Sequence, residues 1–165
     1  MSVADLRAYL ELSRKKTNEL IDAVARLPNP AEALAFRPAP GRAHLAWQLM
    51  HIGATDDRHL YTRMRPGQAK EPEYVRRFAF GSVPDEDIPT LEEIRRYLNE
   101  RRQDLLAHLN SLKDEDLPRK PHDQAPYTYQ EWVPVLALHE GHHHGQAHLT
   151  LNLYKASKGL IDKKG

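Results

Sequence analysis

The chain has 165 residues, 40% hydrophobic and 28% charged, and carries a net charge of +1 from 24 basic and 23 acidic residues. These values suit one compact globular domain, residues 1–165, and offer no basic surface for nucleic acid or an anionic membrane. Cysteine is absent, which excludes disulfide frameworks, cysteine zinc sites and thiol nucleophiles.

The first stretch, "MSVADLRAYLELSRKK", lacks an apolar signal core. No run approaches the roughly 18 apolar residues of a membrane span, so a cytoplasmic protein is expected. Val3, Leu6, Leu10, Thr17, Leu20, Ile21, Val24 and Leu27 recur mostly at three- and four-residue steps and predict a helix over 3–27. Ser2 and Asp5 have capping-box spacing, and Pro28 and Pro30 stop the helix. A proline-rich connection, "PNPAEALAFRPAPGR", follows.

The second helix is predicted over 42–65, closed by Pro66 and Gly67. Residues 66–89 have four prolines and no clean period, and are expected to form a long crossover loop, functional or mobile at that length. The third helix opens at Thr90, with Glu93 at capping-box spacing, and runs to about Leu112 on a stripe of Leu91, Ile94, Leu98, Leu105, Leu109 and Leu112. The fourth reaches about Lys155. Thr128 and Glu131 mark a start at Thr128, whereas Pro134 favours a later one. No strand or internal repeat is evident. Four helices, each with one apolar stripe, predict an all-α four-helix bundle in which two helix hairpins are joined by the long crossover.

Histidine is in excess: ten in all, five of them in "LHEGHHHGQAHL" (138–149). At 100° per residue Trp132, Leu136, His139, His143, Ala147, Thr150 and Tyr154 fall within about 40° of one line, with Val135, Leu151 and Leu153 flanking it. His142, His144 and His148 lie roughly 100° or more away by the same geometry. His139 and His143 therefore face the core one turn apart. Burying unpaired imidazole nitrogens costs about 1–3 kcal/mol each, and a divalent metal bound by histidines at i and i+4 removes that cost. A third ligand is then expected from a facing helix. On the second helix His44, Trp47, Gln48, His51, Ala54, Thr55 and Arg58 form a stripe too polar for core and too aromatic for surface, which reads as a pocket wall with His51 at its centre.

His51 in "WQLMHIGATDDRHL", with His139 and His143 in "HEGHHHGQ", resembles the DinB-like (DinB/YfiT) superfamily across essentially the whole chain. That family has a histidine midway along helix two and a His-x-x-x-His pattern, often followed by Arg-Gly-Gln, on helix four. His143, Gly145 and Gln146 match, and His144 stands where Arg is usual. The resemblance implies up-down-down-up helix order, a three-histidine metal site between helices two and four, and homodimerisation. Family members include thiol S-transferases, a mycothiol-dependent isomerase, and proteins regarded as metal-dependent hydrolases or stress-induced.

Three imidazoles without a carboxylate leave a metal at least one open position, as in catalytic zinc sites. Zinc or nickel is expected, with iron or copper also suited to imidazole ligands and manganese a further alternative. The expected activity is hydrolysis, or transfer of a low-molecular-weight thiol, on a small molecule. Two other readings stay open: a non-catalytic metal-binding or stress-related module, and a bundle whose histidines only hydrogen-bond. Arg58 and Arg101 are candidates to receive an anionic substrate group, against the commoner role of a solvated or snorkelling side chain. His144 and His148 are the rival metal pair. His44, like His59, His108 and His122, reads as a surface or capping residue, with a place in the pocket as its alternative. Glu140 is expected at the surface rather than behind the site. Trp47 and Trp132 are expected in the core, Tyr127 and Tyr129 at a pocket rim. "EYVRRFAF" is open to two roles, a lid or a dimer contact.

Overall fold

Ser2 opens the first helix as its spacing predicts: its hydroxyl accepts from the Asp5 amide at 3.2 Å, and the Asp5 carboxylate accepts from the Ser2 amide at 2.8 Å. The structure, a computed structural model, describes residues 1–160. Among the described residues there are six α-helices and no strand. They are α1 (Val3–Ala25), α2 (Pro30–Ala35), α3 (Leu45–Arg58), α4 (Pro72–Phe78), α5 (Leu91–Asn110) and α6 (Tyr129–Ser157). A π-helical segment, His59–Met64, continues α3, and a short 3₁₀ turn, Asp114–Asp116, follows α5. No described helix is long and apolar enough to cross a membrane.

Two segments expected to be irregular are helical. In both, proline sits at the first helical position, where its missing N–H costs nothing and its fixed φ favours the helix. Pro30 starts α2, and the Asn29 side chain accepts from the Glu32 amide at 3.1 Å. Pro72 starts α4 inside the 66–89 connection. A seven-residue helix is not stable alone in water. Packing holds α4 instead, through fully buried Phe78 with Tyr74 and Val75 against α3 and α5; burying one such aromatic is worth about 1.5–3 kcal/mol. Its approach is fixed by Asp57 of α3, whose carboxylate accepts from the Lys70 and Glu71 amides at 2.7 and 3.0 Å.

Helix α6 begins at Tyr129 despite Pro134. The Thr128–Glu131 capping box and two backbone bonds, Tyr129 N–H to Arg119 and Gln130 N–H to Leu117, hold the first turn in place. Gly53 lets α5 lie against α3: a Cβ there would sit 2.7 Å from Tyr97 Cδ1.

The apolar core is in two clusters. One gathers Leu20, Ile21 and Val24 of α1 with most of α3, the start of α5 and the end of α6. The other gathers Leu6 and Leu10 of α1 with Leu60, Met64, the end of α5 and the start of α6. Each long helix contributes one charge to a shared buried layer: Arg14, Asp56, Arg102 and Glu140. Arg14 donates to Glu140 at 2.8 Å and to Asp56 at 3.0 Å, and Arg102 donates to Asp56 at 3.0 Å and to Glu140 at 2.5 Å. Thr17 and Ser13 also donate to Glu140, at 2.8 and 3.0 Å. Burial pushes the Glu140 carboxyl up, but Arg14 and Arg102 outweigh it and hold the group at about 2. The expectation of a surface Glu140 is thus wrong: α6 packs on both α1 and α3, so its buried arc is wider than one stripe. Leu153, expected beside that stripe, is exposed.

Candidate metal centre

Helices α3 and α6 lie side by side, and the layer that holds the buried charges also holds three histidines. His139 precedes Glu140, and His51 stands five residues before Asp56. One ring nitrogen from each of His51, His139 and His143 lies within 4.8 Å of the other two. The Nε2 atoms of His51 and His139 are 3.1 Å apart. That is close to the roughly 3.3 Å edge of a tetrahedron built with metal–nitrogen bonds of about 2.0–2.1 Å.

The opposite face of two rings is fixed by acceptors. The Phe78 carbonyl lies 2.5 Å from His51 Nδ1. A carbonyl only accepts, so Nδ1 carries the proton and Nε2 presents its lone pair to the site. Gln48 Oε1 lies 2.9 Å from His143 Nδ1 and imposes the same tautomer. Such outer hydrogen bonds orient metal-binding imidazoles and raise their basicity. Trp47 stacks on His51 at 4.7 Å between centroids and 8° between planes, and Thr55 Oγ1 is 3.4 Å from His139 Nε2. Burial lowers the pKa of all three rings. For His139 burial and then His51 bring it to about 4, and for His143 burial and then His51 and His139 bring it to about 3. All three are therefore neutral near pH 7, the form that binds metal.

A cavity of about 350 Å³ opens beside the cluster. His51, His139 and His143 line it together with Thr55, Arg58 and His59, and with Phe80, Tyr127 and Val135. His51, Ala54, Thr55 and Arg58 of the expected stripe form its wall, whereas Trp47 and Gln48 line a neighbouring cavity and His44 caps α3. Tyr127 reaches it, whereas Tyr129 packs against His108. The "EYVRRFAF" segment meets the site through the Phe78 carbonyl and through Ala79 and Phe80 in the cavity lining.

Other candidate residues divide between those that meet expectation, His44 as a cap and His142, His144 and His148 outside the cluster, and those that depart from it. Arg101 is 4% exposed and faces Asp57, Glu71, Glu100 and Asp104, so it is a structural ion-pair residue remote from the cavity. His59 is half-buried beside the cavity, where its Nδ1 accepts from Trp132 Nε1 at 2.6 Å. His108 is buried and receives Arg65 at 2.8 Å, and His122 donates to the Arg63 carbonyl at 2.7 Å. His44 is buried as the N-cap of α3, accepting from the Trp47 amide. His142 is exposed and bonds Gln146, while His144 and His148 stack on each other across from Lys16 and Glu19. None of the three joins the cluster.

The sequence reading missed His59 and Arg63 in the cavity, the Phe78 carbonyl, and the charged layer. Only the charged layer left a trace, in Arg14 falling on the apolar stripe between Leu10 and Thr17.

A comparison with curated proteins finds no match. The family model described as DinB superfamily matches residues 2–147, a span that includes His51, His139 and His143. With the three-histidine cluster seated between α3 and α6, that match settles the family: the chain belongs to the DinB superfamily.

Proposed function

We propose that the protein is a metal-dependent enzyme, a hydrolase or a thiol S-transferase for a small molecule, whose single ion is held by His51, His139 and His143. The carrying observation is the convergence of three neutral imidazoles, two of them with the outer nitrogen already engaged by Phe78 and Gln48. A divalent ion there, with zinc or nickel favoured, supplies an open coordination position at which a water or a thiol is acidified. The chain's own groups do the rest. Phe78 and Gln48 keep the ligand protons on Nδ1, Trp47 fixes the plane of the His51 ring, and the cavity wall orients the substrate. His59, with its Nδ1 occupied by Trp132, carries its proton on Nε2 and can donate it to a bound group.

The long helices α1, α3, α5 and α6 are read as the up-down-down-up bundle. Its support is the shared clusters, in which the first halves of α1 and α6 meet the second half of α5. A homodimer in the cytoplasm is part of this reading.

The test uses tag-free protein never exposed to nickel resin. One ion per chain is expected by elemental analysis, lost in His139→Ala and His143→Ala and kept in His142→Ala. In the cobalt-loaded protein, a small thiol or azide should change the visible spectrum by entering the open position. A wild type that binds no metal, or a cobalt spectrum indifferent to both ligands, contradicts the reading.

A further inference from the structure

The cavity beside the three histidines carries a charge pattern that the metal ligands do not explain. Arg58 and Arg63 both line it, both are half-buried, and neither guanidinium makes an ion pair among the described residues. No lining residue is acidic. Elsewhere half-buried arginines are matched: Arg77 pairs with Asp85 and Asp87, and Arg37 with Glu86. Burial and then Arg63 pull Arg58 below the ordinary guanidinium range, so the two cations stand close enough to repel each other. Two unmatched like charges in a partly desolvated wall are unfavourable unless an anion completes them.

The backbone is wound to bring them together. Residues five apart on an α-helix face about 140° away from each other. Here α3 passes into the π segment at His59, and the Arg65 amide donates to the Leu60 carbonyl at 2.9 Å, an i to i+5 bond. That wider turn narrows the angle between them, and both arginines line the cavity. Short π segments inside helices occur often at functional sites. The third donor is His59, whose Nδ1 is taken by Trp132 and whose Nε2 therefore bears a proton. Apart from Thr55 and the three candidate ligands, the remaining lining is apolar or aromatic, from Ala54, Ala79, Phe80, Tyr127 and Val135.

We propose that this cavity binds a small organic anion, a carboxylate or phosphate ester, with its charged group between Arg58, Arg63 and the His59 N–H and its apolar body against Tyr127 and Val135. The inference names the substrate class of the site described above, and it rests on the metal reading only for where the reacting end of the molecule points.

Calorimetric titration of zinc-loaded, tag-free protein with benzoate, phenyl phosphate and neutral benzamide tests it. One of the anions should bind about tenfold or more tighter than benzamide, since hydrogen bonds to charged groups are the stronger class. The tighter of the two identifies the source, carboxylate or phosphate ester. Arg58→Gln and Arg63→Gln should each weaken that anion about tenfold, leaving benzamide binding and zinc per chain unchanged. Anions that bind no tighter than benzamide, or not at all, overturn the inference, and so does undiminished anion affinity in the double variant. If the wild type takes up no zinc, the metal reading fails alone, and the same titrations on metal-free protein decide the anion site by the same criteria.

Discussion

Arg102 donates to Glu140 at 2.5 Å across the bundle, and the residue before Glu140 is the candidate ligand His139. The ion layer and the metal centre are therefore two faces of one turn of α6. Glu140 fixes that turn against α1 and α5, while His139 reaches α3. Removing one partner of a buried pair leaves the other charge uncompensated, a loss of about 3–5 kcal/mol. Glu140→Gln should fall in that range by denaturant unfolding. Glu11→Gln, which touches only an exposed pair with Arg7, should stay within about 1 kcal/mol of wild type. Equal losses for the two variants would remove the ion layer from the account.

The outer hydrogen bonds make a separate prediction. Gln48→Leu removes the acceptor for His143 Nδ1 and touches no metal-facing atom. Zinc affinity, measured by competition with a chromophoric chelator, should drop about 10- to 100-fold with one ion per chain retained. Unchanged affinity would show that the Gln48 contact does not orient the ligand.

Much of this was legible in the sequence, and the reason is periodicity. The stripes of α1, α5 and α6 recur at three- and four-residue steps, and His139 and His143 fall on one of them. His51 stood out because Trp47, Gln48 and Thr55 made its stripe neither core nor surface. Three kinds of feature stayed hidden. Pro30 and Pro72 were read as breakers, although at a first helical position proline initiates. Glu140 looks solvent-facing and its partner Arg102 does not stand out, because a single helix does not reveal that a neighbour brings the opposite charge. Arg63 and His59 lie where α3 becomes a π segment, so a wheel at 100° per residue points them the wrong way.

Acid should unfold the metal-free protein in two stages. Burial holds His44 and His108 at about 4 and His59 at about 3, against 6.5 when unfolded. Between those values the unfolded chain binds more protons than the folded one, so stability falls as pH drops below about 6.5, and the histidine contribution to that fall is complete near 3–4. Glu140, held at about 2 against 4.5, adds a second loss between those two values, with the same sign. Denaturant midpoints taken from pH 8 to pH 3 should decline from pH 6.5 downward. A flat profile from pH 7 to 5 would contradict the buried neutral histidines.

Gly53→Ala places a Cβ 2.7 Å from the Tyr97 ring. Overpacking of this kind costs about 1–3 kcal/mol. In a Tyr97→Leu background the same change should cost less, and the double-mutant cycle measures the difference. An identical cost in both backgrounds would mean that the α3–α5 approach is not limited by this contact.

Zinc-edge X-ray absorption on tag-free, zinc-loaded protein tests the central claim most directly. Three imidazole nitrogens and one further oxygen or nitrogen donor at about 2.0–2.1 Å are expected, with the imidazole signal lost or depleted in His143→Ala. Fewer than three imidazoles in the wild type, or a spectrum unchanged by that substitution, would contradict it.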